Sequence, residues 1–158
     1  MSGGSSDCAR VTRSESATTS HPPHDRARIR TTRQLAPASR QQAIAAPPEL
    51  GYWTWLLDGE VVGLGHLQPA RDLPAELIET GWCVRPDLWR QGLATEAIRS
   101  LLDYALSDLR LPAVWALVDS ENAPSIRFAH RLGFLSVGER PLDEGTAQVF
   151  VRPADSPL

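Results

Sequence analysis

Lysine is absent from this 158-residue sequence: all 16 basic residues are arginines, and with 19 acidic residues the formal charge is −3. This balance excludes a generally basic nucleic-acid-binding protein. Cysteine is scarce, and Cys8 and Cys83 are too few for a disulfide framework or a zinc site, which favours a reduced, cytoplasmic setting. No apolar run reaches the roughly 18 residues of a transmembrane helix. The Ser/Thr-rich start lacks the apolar region of a secretory signal, so neither export nor a membrane partner is expected.

The aromatic residues and the charges are distributed unevenly along the chain. All five Trp, both Tyr and all three Phe lie between Tyr52 and Phe150. Residues 1–48 hold seven arginines and three acids, whereas residues 49–158 hold nine arginines and sixteen acids. The part that can form a core is therefore about 110 residues long, which is enough for one domain. We expect a disordered tail at 1–25, a weakly structured, degenerate N-terminal part at 26–50, a folded domain at 51–152 and a second tail at 153–158.

From Gly51 onward the apolar pattern predicts a mixed α/β (α+β) fold with the order β-β-β-α-β-α-β-β. Asp58-Gly59 separates two apolar strands and is typical of a tight β-hairpin. Between Leu93 and Leu109 apolar residues recur every four positions, which predicts an amphipathic helix. Asn122 is suited to begin a second helix, which ends before residue 133. The predicted strands are 52–57, 60–67, 77–84, 113–118, 134–140 and 146–151, with a short edge strand at 26–33 and a weak helix at 37–46.

The segment 84–97, VRPDLWRQGLATEA, places a glycine where the first long helix begins. The first N–H groups of a helix lack internal partners and carry partial positive charge, and Gly92 lets an anion approach them closely. This arrangement suits a phosphate or pyrophosphate, with Arg90 adding a charge-assisted contact and Thr95 a hydroxyl. Taken alone, Gly92 is equally consistent with a tight strand-to-helix turn. A P-loop nucleotide-binding protein is excluded, because no Gly-Lys-Ser/Thr follows the loop.

Two further motifs follow this segment, Asn-Ala-Pro-Ser at 122–125 and His-Arg-Leu-Gly-Phe at 130–134. Together the three motifs resemble the GNAT superfamily of acyl-CoA-dependent N-acetyltransferases, over about residues 50–151. The closest resemblance is to the branch that acetylates ribosomal-protein N-termini. Family members carry Q/R-x-x-G-x-G/A where this sequence has WRQGLA at 89–94, so Trp89 departs from the general pattern. That branch has the form W-x-x-G-x-A-T-E-A, which this sequence matches through Ala97.

The resemblance implies a GNAT-like, mostly antiparallel sheet flanked by helices, with a splayed central strand pair and a shortened or irregular N-terminal part. In the family acetyl-CoA is the co-substrate: the loop cradles its pyrophosphate, and its pantetheine arm enters between the splayed strands. Here those strands are 77–84 and 113–118, and the backbone of Cys83 and Val84 is expected to polarise the thioester carbonyl. No metal is expected. The cofactor-binding residues that the resemblance implies are Val84, Arg90, Gln91, Gly92, Leu93, Ala94, Thr95, Asn122 and Ser125.

The resemblance also suggests which residues handle protons. Glu79 matches the strand glutamate of the family and is the candidate general base, with a solvated strand carboxylate as the alternative. An N-terminal acceptor asks little of such a base, because roughly a tenth of an α-amine is neutral at pH 7. The family often has a Tyr on the second helix to protonate the leaving thiolate, but this sequence has Ala129 there. His130 is one residue off and is interpreted as a surface residue, and no base accompanies Cys83, which argues against a covalent acyl-enzyme.

The leading hypothesis is an acyltransferase that moves an acetyl group from acetyl-CoA to a primary amine, either a protein N-terminus or a small amine. Attack is expected to be direct, in a ternary complex, and the chain is expected to be a monomer or a homodimer without nucleic-acid or membrane partners. The alternative is a non-catalytic acyl-CoA-binding or interaction domain of the same fold, because residues 26–46, which should wall the acceptor site, are weakly patterned. A wrong start site or a shifted reading frame upstream of about residue 48 is a third possibility.

Overall fold

The computed structural model describes residues 29–34 and 49–156. The expected tail at 1–25 and the expected helix at 37–46 lie outside these residues. From residue 51 onward the described elements follow the predicted order, and the expected N-terminal edge strand is present as well. The strands are β1 (Arg30–Gln34), β2 (Gly51–Leu57), β3 (Glu60–Pro69), β4 (Ile78–Val84), β5 (Ala113–Asp119), β6 (Leu135–Pro141) and β7 (Thr146–Pro153), and the α-helices are α1 (Leu93–Asp103) and α2 (Ala123–Arg131).

The seven described strands form one sheet in the order β1-β2-β3-β4-β5-β7-β6. Neighbouring strands are antiparallel except for β4 and β5, which are parallel. Asp58 and Gly59 join β2 to β3 with positive φ angles of 52° and 86°, as a two-residue hairpin requires. Parallel neighbours need a crossover connection, and α1 supplies it between β4 and β5. The expected mostly antiparallel sheet with flanking helices is therefore confirmed.

Helix α1 packs on the sheet through the apolar face that its sequence repeat predicts. Gly65 in β3 allows this close approach, because a Cβ there would lie 3.3 Å from both Ile98 and Leu101. The α-helix ends at Asp103, and Tyr104–Asp108 form a π-helical turn, so the predicted helix to residue 109 is correct in extent but not in its last turn. An apolar repeat does not distinguish the two kinds of turn over so short a stretch. The buried residues of α1 are Leu93, Ala97, Ile98, Leu101 and Leu102.

The chain after β7 stays attached to the sheet. Arg152 is only 1 % exposed, and its Nη1 donates to the carbonyl oxygens of Pro153 at 3.0 Å and Ser156 at 2.8 Å. The backbone N–H of Ala154 donates to the carbonyl oxygen of Pro112 at 3.0 Å. A buried guanidinium needs acceptors, and the carbonyls that follow β7 supply two of them. Residues 154 and 156 thus contact the end of the sheet, and the expected tail at 153–158 stays a prediction.

Candidate functional site

The sheet is split at its centre. Strand β4 pairs with β5 at a single position, Glu79 opposite Trp115. On its other side β4 remains fully paired with β3, as far as Val84 opposite Gly63. Residues 80–84 therefore have a partner strand on one side and a gap on the other. This is the splayed strand pair that the resemblance implies, and it falls between the two strands named for it.

The pairing of β4 with β3 decides which backbone groups face this gap. The N–H of Arg85 donates to the carbonyl oxygen of Val62 at 2.9 Å, and the register pairs Cys83 with Leu64. Backbone polar groups alternate in direction along an antiparallel strand, so those of Cys83 also face β3. Those of Trp82 and Val84 face the gap. Of the two residues expected to contact the thioester through their backbone, the structure thus brings Val84 to the gap and turns Cys83 toward β3.

The loop after β4 is fixed to the end of that strand. The indole Nε1 of Trp89 donates to the carbonyl oxygen of Val84 at 2.9 Å, although Trp89 itself is 60 % exposed. The guanidinium of Arg85 forms a 2.7 Å ion pair with Asp87 and a 3.5 Å ion pair with Glu60 on β3. Hydrogen bonding and charge from Arg85 hold the pKa of Asp87 below its usual value. The tryptophan at position 89 therefore has a structural role, because its indole N–H holds the loop against the end of β4.

Two residues of the loop have left-handed backbone conformation, Arg90 with φ of 64° and Gly92 with φ of 79°. Backbone N–H groups beside such residues form concave nests that bind anions. The N–H groups that begin α1 are also available, because the first backbone bond of the helix is from Glu96 to the carbonyl oxygen of Gly92, at 3.0 Å. The side chains of Arg90 and Gln91 are exposed above this nest, and Thr95 is half-buried. The loop predicted to cradle a pyrophosphate therefore has the geometry of an anion site.

Helix α2 begins beside the gap. The Oδ1 of Asn122 accepts a hydrogen bond from the N–H of Ser125 at 3.1 Å, so the N-cap interpretation of Asn122 is confirmed. A contact of these two residues with a cofactor stays a prediction. The Trp82 ring on β4 meets the Phe128 ring on α2 edge to face, with centroids 5.1 Å apart. Ala129 is fully buried at the position where the family often has a tyrosine.

His130 is exposed and stacks edge to face on Phe150 at 5.2 Å, as its interpretation as a surface residue predicts. Cys83 differs from its expected state. It is disulfide-bonded in the structure, which differs from the reduced state that the low cysteine count favours.

Glu79 lies where β4 and β5 part, half-buried on the face of the sheet opposite α1. Burial raises the pKa of its carboxyl group above the usual value. The backbone N–H and the charge of Arg71 oppose this rise, and the charge of Asp72 adds to it. A carboxylate with a raised pKa accepts a proton more readily at neutral pH, so the position suits a general base. The role of Glu79 nevertheless stays a prediction.

His66 is a residue of this face that the sequence analysis missed. It lies on β3 opposite Gly81 of β4 and opposite Tyr52 of β2, whose ring centroid is 5.6 Å away. Burial, with a smaller effect of the Arg71 charge, lowers the pKa of His66 to about 4. The signal was available: the Asp58-Gly59 turn fixes the register of β3, and a histidine is unusual in so apolar a strand.

Among residues 29–34 and 49–156, no three or more His, Cys, Asp or Glu side chains cluster so as to hold a metal ion. Of the helices that the structure describes, none has the length and apolar character needed to span a membrane.

A family model described as the acetyltransferase (GNAT) domain matches residues 5–135. This match covers most of the sequence, and the chain belongs to that family. The predicted membership of the GNAT superfamily is thereby confirmed.

Two curated relatives match shorter stretches. The uncharacterized N-acetyltransferase p20 of Bacillus licheniformis is 37 % identical over 60 residues, which are 38 % of this chain and 34 % of that protein. The spermidine N(1)-acetyltransferase of Escherichia coli strain K12 is 33 % identical over 82 residues, which are 52 % of this chain and 44 % of that protein. The chain thus spans less than half the length of these relatives.

Solved structures share the fold. A GnaT-family acetyltransferase from Bordetella pertussis superposes with a TM-score of 0.61 at 28 % identity, over 66 % of each chain. The ribosomal-protein-S5-alanine acetyltransferase from Vibrio fischeri gives 0.60 at 16 % identity, over 67 % of this chain and 62 % of that one. Aminoglycoside acetyltransferase AAC(6')-Ib in complex with coenzyme A gives 0.58 at 18 % identity, over 66 % of each chain. At the two lower identities the likeness shows the fold alone.

Proposed function

We propose that this chain is an N-acetyltransferase that moves an acetyl group from acetyl-CoA to a primary amine by direct attack in a ternary complex. The observation that carries the proposal is the position of the split between β4 and β5, immediately before the nest that begins α1. A gap lined by unpaired backbone amides suits the extended pantetheine arm, and a nest at a helix start suits the pyrophosphate. Membership of the family supports the same assignment.

The residues present fit acetyl-CoA on three counts. The backbone groups of Val84 and Trp82 face the gap and are placed to pair with the amides of the arm and to polarise a carbonyl there. The N–H groups from Leu93 to Thr95 meet the negative charge of the pyrophosphate, and the guanidinium of Arg90 adds a charge-assisted contact. When bound, acetyl-CoA supplies an acetyl group activated as a thioester.

On the face of the sheet opposite α1, Glu79 takes a proton from the incoming amine, because an ammonium nitrogen has no lone pair for attack. Holding the neutral amine against the thioester converts an encounter in solution into a step within one complex, which lowers the barrier substantially. Ala129 provides no acid for the leaving thiolate. Since the pKa of a thiol is only about 8.5, the thiolate leaves toward solvent without one.

The acceptor that we propose is a cationic amine. Residues 49–158 contain sixteen acids and nine arginines, a balance that attracts a positively charged acceptor. One relative is named for spermidine and one structural neighbour for aminoglycosides, both of which are polycationic amines. A protein N-terminus belongs to the same chemical class. We further propose a cytoplasmic setting, where acetyl-CoA is available to such acceptors, although a disulfide such as that of Cys83 is uncommon there.

Binding of acetyl-CoA by calorimetry tests the cofactor assignment. Gly92→Glu places a side chain and a negative charge in the nest, and we expect it to weaken binding at least about 100-fold through repulsion of the pyrophosphate. Gly145→Glu is the matched control, because Gly145 has a φ of 82° on the β6–β7 turn and no neighbouring atom within 4 Å of an added Cβ. Absence of binding by the wild type, or equal binding by the two variants, contradicts the proposal.

Turnover separates a transferase from a domain that binds acyl-CoA without catalysis. Release of free thiol from acetyl-CoA is followed across a panel of spermidine, an aminoglycoside and peptides with a free α-amino group. We expect at least one of these amines to raise the rate well above hydrolysis. Confirmed binding of acetyl-CoA with no response to any amine favours the non-catalytic alternative.

A further inference from the structure

His66 reaches across strand β4 toward the split. Its ring lies against the backbone of Gly81: a Cβ added to Gly81 would lie 2.5 Å from the ring Cε1, 3.2 Å from Nδ1 and 3.3 Å from Nε2. Gly81 belongs to the part of β4 that has no partner in β5. The ring therefore occupies space that exists because residue 81 has no side chain, and this space borders the gap.

The ring nitrogens of His66 are available to a ligand. No residue of the described parts of the chain forms a hydrogen bond with either nitrogen, and the ring is held instead by apolar contact with Gly81 and by the tilted Tyr52 ring. His66 is half-buried and so keeps some exposure to solvent. A histidine that is positioned by packing but not by hydrogen bonds keeps a lone pair for an incoming donor.

His66 and Glu79 share one face of the sheet. Gly81 lies opposite His66, and Glu79 is two residues earlier on the same strand, so both side chains point away from α1. Diagonal neighbours of this kind lie about 7–8 Å apart, within reach of aromatic and long side chains, so the imidazole and the carboxyl group can approach one amine group together. The charged or titratable groups that surround His66 are Tyr52 on β2, Glu79 on β4 and Arg71 after β3.

We propose that His66 is a second acceptor-side residue of this active site: its neutral imidazole accepts a hydrogen bond from the amine substrate and holds it in the split beside Glu79. The inference rests on the proposed acetyltransferase function. Since the lowered pKa keeps the ring uncharged at neutral pH, His66 does not repel a cationic acceptor. Glu79 receives the proton, and His66 orients the nitrogen that remains.

Two substitutions separate this role from packing. His66→Phe keeps an aromatic ring against Gly81 and Tyr52 but accepts no hydrogen bond. We expect it to raise KM for the amine at least about tenfold, the usual effect of losing a hydrogen bond to a charged donor, with KM for acetyl-CoA within about twofold of wild type. His66→Gln returns an acceptor atom and is expected to recover part of this loss.

Gly81→Ala moves the ring without removing it. The added Cβ meets the Cε1 of the ring, and rotation of the histidine side chain relieves the overlap at little cost to the fold. We expect the same selective rise in the amine KM, with a melting temperature close to that of wild type. As a readout that does not depend on turnover, the ring nitrogen resonances of His66 should shift when spermidine or an N-terminal peptide is added to the complex with coenzyme A.

The outcomes are distinct. A wild-type chain that binds acetyl-CoA and acetylates an amine, combined with an unchanged amine KM in His66→Phe, overturns the role of His66 and leaves the proposed function standing. An equal rise in the KM of both substrates also overturns it, because a general distortion then explains the loss. A wild type that binds no acetyl-CoA or acetylates no amine overturns both.

Discussion

At the scale of the single residue, the ionised form of Glu79 that serves as a base is also the form that destabilises the fold. Burial raises the pKa of its carboxyl group, so the folded chain binds this proton more tightly than the unfolded chain does. Stability from this group is then present at low pH and is lost as pH rises from the usual carboxyl pKa through the higher folded value. Above that window the ionised carboxylate destabilises the fold while it serves as a base.

Glu79→Gln is therefore expected to act in opposite directions on activity and on stability. Acetyl transfer should fall by about 10²- to 10⁴-fold, the usual contribution of a general base. At pH 7 the free energy of unfolding should rise relative to wild type, and the difference should disappear below about pH 4, where both chains carry no charge at this position. Denaturant titrations at the two pH values, beside steady-state rates, measure both effects.

Glu76→Gln provides the control, because Glu76 is a nearby glutamate in the connection before β4 and is exposed. It should leave both quantities unchanged. If Glu79→Gln keeps wild-type activity, the solvated-carboxylate interpretation of Glu79 is correct and the base lies elsewhere.

At this scale the sequence located the loop residues but not their geometry. The motif at 89–97 predicted an anion site in this loop, yet nothing in a single sequence indicates that Arg90 adopts a left-handed conformation, which is uncommon for a residue with a Cβ. The backbone of Val84 faces the gap whereas that of Cys83 faces β3, and this difference follows only from the register of β4 on β3. His66 was missed for the same reason, since its neighbour Gly81 is fifteen positions away along the chain.

At the scale of elements, one contact links the N-terminal strand β1 to helix α1. The carboxylate of Glu96, in the first turn of α1, accepts a hydrogen bond from the backbone N–H of Ile29 at 2.7 Å, immediately before β1. Ile29 is itself buried in the core. The acid also lies at the positive end of the helix, where a negative charge is favourable.

Glu96→Ala is expected to lower the free energy of unfolding by about 1–3 kcal/mol, because it leaves a part-buried N–H without its acceptor. Chemical denaturation measures the change. Glu144→Ala, at an exposed turn between β6 and β7, is the control and should lie within about 0.5 kcal/mol of wild type. A loss no larger than that of the control means that β1 and α1 are not coupled through Glu96.

Most elements followed from local pattern. The Asp58-Gly59 turn, the four-residue repeat of α1 and the Asn122 cap each specify their element from neighbouring residues, and all three are confirmed. The split between β4 and β5 did not follow from any local pattern. Strand β5 is apolar enough to pair along its whole length, and only the resemblance to the family predicted that β4 and β5 splay apart. The structure shows that they part after Glu79.

At the scale of the whole molecule, the chain consists of an arginine-rich part, residues 1–48, and an acidic part, residues 49–158, and the described residues of the two parts contribute differently to the fold and the proposed site. The residues proposed to bind acetyl-CoA lie within residues 79–125, in the acidic part of the chain. The arginine-rich first 48 residues contribute β1 to the edge of the sheet and Ile29 to the core. A single sheet thus joins the two compositionally different parts, and the counts of charged and aromatic residues did not predict this.

The split gives the sheet an edge in its interior. Alternate amide hydrogens along β4 should therefore exchange with solvent at different rates in the unliganded chain: those of Gly81 and Cys83 slowly, because β3 accepts them, and those of Trp82 and Val84 as quickly as in an outer strand. Coenzyme A should slow the second pair and leave the first unchanged. Residue-resolved hydrogen exchange measures this alternation, and uniform protection along β4 before ligand is added would contradict it. If the alternation is observed, the amides of Trp82 and Val84 can serve as probes of ligand binding from within the centre of the sheet.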